Sequence, residues 1–357
     1  MYRIETADQN VVDAYADDMA GKLKPVIDDY LAGQRGVIIP IDGRDIHVMV
    51  TNKSLAHKIL TFLSDLENLK KFLKRSVKKQ YDWVDSLKKS NTPDDIIFKK
   101  LGSTTYKRYY KGNPPVIDHF NEIMYDIFVT NGFDAHVDTT LFINATKLKI
   151  CPYCGNDKVK ESDRTKTEID HFLPKRKYPL FAVSYFNLIP SCVFCNKADH
   201  KGQLSPIEQI NEGLIVQNPY VFNPSIVRFH LDIRDTDVYE PENFNVAVGF
   251  TEKAYLDGYE RFFDVSDRYA GNKQEAAEDY MRLMDFKADH FYDDMNVNKE
   301  WLKKAYRAVM GYTPESDYPH LKARHRMRRD IFAQLNKLRK PAAYYVKGSG
   351  NNLVVLE

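Results

Sequence analysis

Cys151, Cys154, Cys192 and Cys195 are the only cysteines in the chain, and they fall into two C-x-x-C pairs. Two such knuckles supply four thiolates, the donor set of a closed tetrahedral zinc site. A closed site leaves no position for substrate, so one zinc ion held there is structural. The residues between the knuckles are of another kind. They read Glu168-Ile169-Asp170-His171-Phe172-Leu173-Pro174-Lys175, and then Asn187-Leu188-Ile189-Pro190-Ser191 leading into Cys192, with Asn196 directly after the second knuckle. A neutral histidine can take a proton near physiological pH. Carboxylate and amide oxygens are what a hard cation such as Mg²⁺ prefers.

The pieces C-P-Y-C, I-D-H-F-L-P-K, N-L-I-P-S-C and C-x-x-C-N, in that order, resemble the HNH endonucleases. The resemblance is to the type whose ββα-metal core is flanked by a four-cysteine zinc site. It implies phosphodiester hydrolysis, which needs a deprotonated water and positive charge near the developing oxyanions. On that resemblance His171 is the general base. Asp170, the preceding strand residue, points to the opposite side and binds the catalytic metal. Asn196, near a helix start, supplies the other oxygen ligand, and Asn187 holds the loop that orients His171. Many family members have His where this chain has Asn196, and the His-Asn-Asn form is a known variant. An amide oxygen is a harder ligand than imidazole, which favours Mg²⁺ or Mn²⁺ over softer transition metals. His200 shares a face with Asn196 if the helix runs on in register, and is then the alternative ligand. Lys175, Lys197 and Lys201 read either as solvated surface or as phosphate contacts.

The wording of these motifs also resembles HNH proteins of bacterial anti-phage defence. There the nuclease often serves as the cutting subunit beside an ATPase, as in Septu-like systems. This chain has no G-x-x-x-x-G-K-[ST] loop, so the ATPase would be another subunit. The resemblance implies a DNA substrate nicked one strand at a time. Double-strand cutting then needs a homodimer or two successive nicks. The competing reading is a non-catalytic zinc module that binds nucleic acid or a partner protein, in which His171 has no role.

The elements that must position these residues are mostly helical. Val12, Tyr15, Met19, Leu23, Val26, Ile27 and Tyr30 recur at helical spacing. A hairpin is expected over 37–50, turning at Asp42-Gly43. One long amphipathic helix is expected from Ile59 to Leu73, with Lys70, Lys71, Lys74, Arg75, Lys78 and Lys79 on its outer face. Asn113-Pro114-Pro115 breaks the pattern. Arg228, His230 and Asp232 alternate with apolar residues, as do the residues around Val246, so two strands follow the knuckles. Helices then cover 275–286, 299–310 and 320–338. Gly348-Ser349-Gly350-Asn351-Asn352 reads as a flexible end.

The fold class is therefore α+β. By the resemblance, a ββα-metal core at 146–205 is expected between a mainly helical domain at 1–145 and a domain at 206–357 with short strands and then helices. The net charge of +2 gives no whole-chain sign of nucleic-acid binding, so any basic surface must be local. Local candidates are the Lys70–Lys79 face, the basic run Lys322, Arg324, Arg326, Arg328 and Arg329, and the interleaved Tyr106, Lys107, Arg108, Tyr109, Tyr110 and Lys111. No apolar run is long enough to cross a bilayer and the start has no signal core, which places the chain in the cytoplasm and away from membranes.

Overall fold

The computed structural model describes residues 1, 3–4, 8–41, 44–50, 54–89, 117–159, 168–197, 199–234, 240–289, 299–311, 325–337, 344–346 and 354–356. Helix α1 (Gln9–Leu31) begins where the Asp8 carboxylate accepts a hydrogen bond from the Asn10 amide. Its stripe of Val12, Ala16, Met19, Leu23, Ile27 and Tyr30 is buried, as the spacing predicts. Strands β1 (Val37–Ile41) and β2 (Arg44–Val48) pair antiparallel. The Asp42-Gly43 turn, Asn113-Pro114-Pro115, the Tyr106–Lys111 run and the terminal Gly348–Asn352 stretch lie outside the described residues.

The single helix expected over 59–73 is two helices, Leu55–Leu63 and Leu66–Leu73. Asp65 breaks it. Its backbone is extended, and its side chain accepts from the Asn68 amide at 2.8 Å, starting a new helix. The cations on this face are partly used within the fold. Lys70 pairs with Asp17 and Lys74 with Asp13 of α1, and the Arg75 guanidinium lies 4.0 Å from the Trp83 ring centre.

A helix at Ile117–Met124 continues directly into a π-helix at Tyr125–Asp134. Tyr30 Oη and Asn131 Nδ2 both donate to the Asp126 carboxylate, which ties the widened turn to α1. Gly132 lies inside this segment. A Cβ there would sit 3.1 Å from Val183 and 3.2 Å from Leu23, so the π-helix packs tightly on the loop that follows β3.

Strands β3 (Glu168–His171) and β4 (Leu188–Ser191) pair antiparallel, with Asp170 opposite Ile189 and His171 opposite Leu188. A short helix, Val193–Asn196, completes a ββα unit. Strands β5 (Val227–Ile233) and β6 (Phe244–Phe250) form a second hairpin, with alternating burial at the start of each strand. The open edge of β5 is closed by side chains rather than by another strand. Asp330 and Gln334, on the helix His325–Lys337, accept from the Phe229 and Leu231 amides, and Gln334 donates to the Phe229 carbonyl.

In the basic run, Arg328 is bidentate to the buried Asp279, and Arg329 pairs with Asp330. Arg328 therefore joins two helices and is not a cation open to a partner. Lys322 and Arg324 lie outside the described residues. The remaining helices include Lys253–Phe263, Val265–Ala270, Lys273–Asp289 and Lys299–Met310, and β7 (Tyr344–Val346) pairs with β8 (Val354–Leu356). The architecture is α+β, and one hydrophobic core runs from Met1 through the cysteine region to Phe332. Among the described residues no helix is long and apolar enough to cross a membrane.

Candidate functional site

The two knuckles converge. The sulfur atoms of Cys151, Cys154, Cys192 and Cys195 all lie within 4.8 Å of one another, and all four residues are buried. A tetrahedral zinc ion with bonds of 2.3 Å would set its sulfurs about 3.8 Å apart, and Cys154 and Cys192 are 4.0 Å apart. The residues therefore fit a zinc ion. The loops are shaped for it as well. Gly155 takes φ +69°, and the Asn156 and Cys195 amides point at Cys154 and Cys192 sulfurs at 3.4 and 3.5 Å. Four thiolates around a divalent ion leave net negative charge, and Arg268 faces it. Its Nη1 is 3.2 Å from Cys195 Sγ, its Nη2 pairs with Asp157, and its Cζ lies 4.1 Å from the Phe194 ring centre.

Beside this centre β3 forms one wall of a cavity of about 420 Å³, lined by Phe133, Ile169, Asp170, His171, Pro174, Lys175, Asn196, Gly202 and Gln203. His171 is the last residue of β3. Its Nε2 is 3.0 Å from the Ala182 carbonyl, which can only accept. The proton therefore sits on Nε2, and Nδ1 is left as the basic nitrogen. Burial, followed by the charges of Lys175 and Lys201, pushes the imidazole pKa down to about 3.

The Ala182 carbonyl is itself held in place. Tyr15 Oη of α1 donates to the neighbouring Val183 carbonyl at 2.9 Å. Asn187, fully buried, accepts from the Leu173 amide at 2.7 Å and donates to the Leu173 and Phe181 carbonyls at 3.1 and 3.0 Å. One side chain thus ties the start and the end of the loop that carries His171's partner.

Asp170 is 3% exposed. Its Oδ2 accepts from Tyr153 Oη at 2.6 Å and its Oδ1 from Lys201 Nζ at 3.0 Å. Asn196 donates through Nδ2 to Glu168 Oε2 at 3.0 Å. A carboxylate only accepts, which fixes the amide's orientation. Among the described residues nothing donates to Asn196 Oδ1. Asp170 and Asn196 thus offer oxygen donors to one cavity, a donor set that fits a hard divalent cation.

Three expectations need correction. Asn196 is the last residue of its helix rather than near the first, because Cys192 is the N-cap. The helix does not continue, so His200 lacks the shared face with Asn196. Its ring instead stacks on Phe194, with centres 4.0 Å apart. Lys201 is fully buried and hydrogen-bonded to Asp170 and to the His171 carbonyl, so it cannot contact a phosphate from the surface. Lys197 is exposed, with its ammonium 5.9 Å from the Phe194 ring centre. Lys175 stands at the cavity wall, 3.0 Å from Asp134 and 4.9 Å from the Phe133 ring centre.

Sequence reasoning did not single out Glu168, Tyr153, Phe133 or Arg268. Glu168 was within reach, because residues two apart on a strand share a face and Asp170 was already assigned. Tyr153 is the Tyr of C-P-Y-C, 17 positions from Asp170, while Phe133 and Arg268 come from segments outside the two knuckles. Phe133 meets the His171 ring edge-on, with centres 4.4 Å apart.

The HNH endonuclease family model matches residues 151–202. Among curated proteins, protein ea31 of Escherichia phage lambda is 39% identical over 71 residues, 20% of this chain and 21% of that protein. Septu protein PtuB of Bacillus thuringiensis is 42% identical over 59 residues, 16% of this chain and 22% of that protein. The likeness thus spans about a fifth of the length of either relative. No solved structure matches the chain. The chain therefore carries an HNH endonuclease family domain at residues 151–202.

Proposed function

We propose that this protein is a metal-dependent endonuclease that hydrolyses phosphodiester bonds of DNA with one catalytic metal ion. The observation that carries the reading is that Asp170, His171 and Asn196 line one cavity, with the His171 proton committed to the Ala182 carbonyl. In this reading His171 Nδ1 takes a proton from the attacking water. Asn187 keeps the Ala182 loop, and so the imidazole, in place. Asp170 and Asn196 Oδ1 would hold Mg²⁺ or Mn²⁺, which when bound supplies charge stabilisation at the scissile phosphate. Lys175 at the wall is placed to meet a phosphate oxygen. The cysteine cluster holds one zinc ion and fixes the end of the ββα unit from which Asn196 projects.

The likeness to Septu protein PtuB supports a role in a bacterial defence system. In this reading the protein works in the cytoplasm beside an ATPase subunit, as the resemblance of its motifs implies. Residues 1–145 and 206–357 are then the domains that bind substrate or partner, and two copies would cut both strands.

The test is conversion of supercoiled plasmid to nicked circles by the zinc-loaded protein. Nicking with Mg²⁺ or Mn²⁺ that is abolished by EDTA and by Asp170→Ala is expected. DNA binding without cleavage under any divalent ion, with or without an ATPase partner, would favour a non-catalytic zinc module.

A further inference from the structure

Behind the cavity wall, the Asp170 carboxylate already has a cation supplied by the protein. Lys201 is 0% exposed, and its ammonium donates to Asp170 Oδ1 at 3.0 Å and to the His171 carbonyl at 2.6 Å. Tyr153 Oη occupies the other carboxylate oxygen at 2.6 Å. Among the described residues, Asp170 is the one carboxylate in the cavity wall, and Asn196 adds a neutral amide. Glu168 is not in the cavity wall, and its carboxylate accepts from the neutral Asn196 amide at 3.0 Å. The other ionic group in the wall, Lys175, is positive.

The consequence follows from counting formal charges. The affinity of an all-oxygen site for a hard divalent ion depends on the number of charged ligands. Here the one carboxylate is balanced by a buried ammonium before any ion arrives. A divalent ion entering alone would meet a carboxylate ligand whose charge Lys201 already balances, in a wall whose other cation, Lys175, is paired with Asp134. An ion entering with a phosphodiester brings a further negative charge with it, and the phosphate oxygens replace the missing ligands.

We propose that Lys201 balances the one carboxylate ligand of the cation site in the free protein, so that the divalent ion is bound tightly only together with a nucleic-acid phosphate. The inference rests on the assignment of Asp170 and Asn196 as the cation's ligands. Lys201 is a positioning residue in this scheme. It aims the Asp170 carboxylate and holds the His171 backbone, and it makes substrate a condition of metal loading. A free protein would then carry no charged metal centre able to hydrolyse whatever reached it.

The test is a Mn²⁺ titration of the zinc-loaded protein followed by electron paramagnetic resonance, counting only binding that Asp170→Asn removes. Without DNA the wild type should bind Mn²⁺ weakly, with a millimolar dissociation constant. Lys201→Met should bind at least about tenfold tighter. Tyr153→Phe, which frees a carboxylate oxygen but leaves the ammonium, should stay within about threefold of wild type. Adding duplex DNA to the His171→Ala protein, which keeps Lys201, should tighten Mn²⁺ about tenfold or more.

Micromolar Mn²⁺ binding by the DNA-free wild type would overturn the proposal. So would a folded Lys201→Met protein of unchanged affinity, or duplex DNA that leaves Mn²⁺ affinity unchanged. If Lys201→Met does not fold, the comparison with and without DNA decides alone. The titrations without DNA read the role of Lys201 whether or not plasmid is cut. Plasmid cutting combined with a failed titration would sink this inference and leave the nuclease reading intact.

Discussion

A histidine works as a base only when its free nitrogen and its charge state are both set, and at His171 both are set by neighbours. The Ala182 carbonyl takes the Nε2 proton, and burial with two nearby lysines keeps the ring neutral down to about pH 3. An unfolded histidine protonates near its ordinary pKa of about 6.5. Between those values the unfolded state holds the extra proton. Stability is therefore full above the ordinary histidine pKa and falls as pH drops towards 3, by up to about 1.4 kcal/mol per pH unit. Replacing His171 by Gln removes this dependence. The loss of urea midpoint between about pH 7 and about pH 4.5 should be smaller in that variant than in wild type, and an equal loss would contradict the assignment. Asn187→Ala leaves the Leu173 amide and two carbonyls without their partner, and should cost about 2–4 kcal/mol in urea unfolding along with a clear fall in kcat. Asp170, His171, Asn187 and Asn196 could be read from the sequence because their types and order are unusual together. The fate of Lys201 could not. A lysine reads as surface until a carboxylate pairs with it, and Asp170 is 31 positions away.

At the scale of elements, the amphipathic periodicity of α1 and the alternation in β5 translate directly into buried faces. The break at Asp65 is a local capping signal that continuous apolar spacing outweighed. The π-helix at Tyr125–Asp134 has no such local signature. It depends on bonds from Tyr30 and Asn131 to Asp126 and on close packing of Gly132. Its last two residues reach the site, with Phe133 against His171 and Asp134 on Lys175. Phe133→Ala should therefore lower kcat by about 10- to 100-fold through a loosened imidazole. Zinc content and circular dichroism should be unchanged, and Phe133→Tyr should restore most of the rate. Loss of zinc in Phe133→Ala would show that the residue only supports the fold.

Across the whole molecule, the cysteine cluster is a joint between segments far apart in sequence. Arg268 and Tyr269, from a helix well beyond the cysteines, bond to Cys195, Asp157 and the Cys154 carbonyl. Metal loss should thus loosen the C-terminal helices as well as the knuckles. Stoichiometric zinc, measured by mass spectrometry of metals, should fall in Cys154→Ser, and chelation should lower Tm for the whole chain. Arg268→Met should cost about 1.5–3 kcal/mol while zinc stays bound, since the charged hydrogen bonds go but the four sulfurs remain. Two separate transitions after chelation, with the C-terminal one unmoved, would show that the segments are not coupled. No sequence pattern announces this joint. The arginine's role exists only once two knuckles and a distant helix meet.

The central claim is that His171 is the proton acceptor in a metal-dependent cut, and single-turnover cleavage of a labelled DNA duplex tests it most directly. With Mg²⁺ or Mn²⁺ at equal occupancy and the partner subunit present if one is needed, His171→Ala should be slower than wild type by about 10²- to 10⁴-fold. It should retain its zinc and its affinity for DNA. Cleavage by the variant at the wild-type rate would contradict the account.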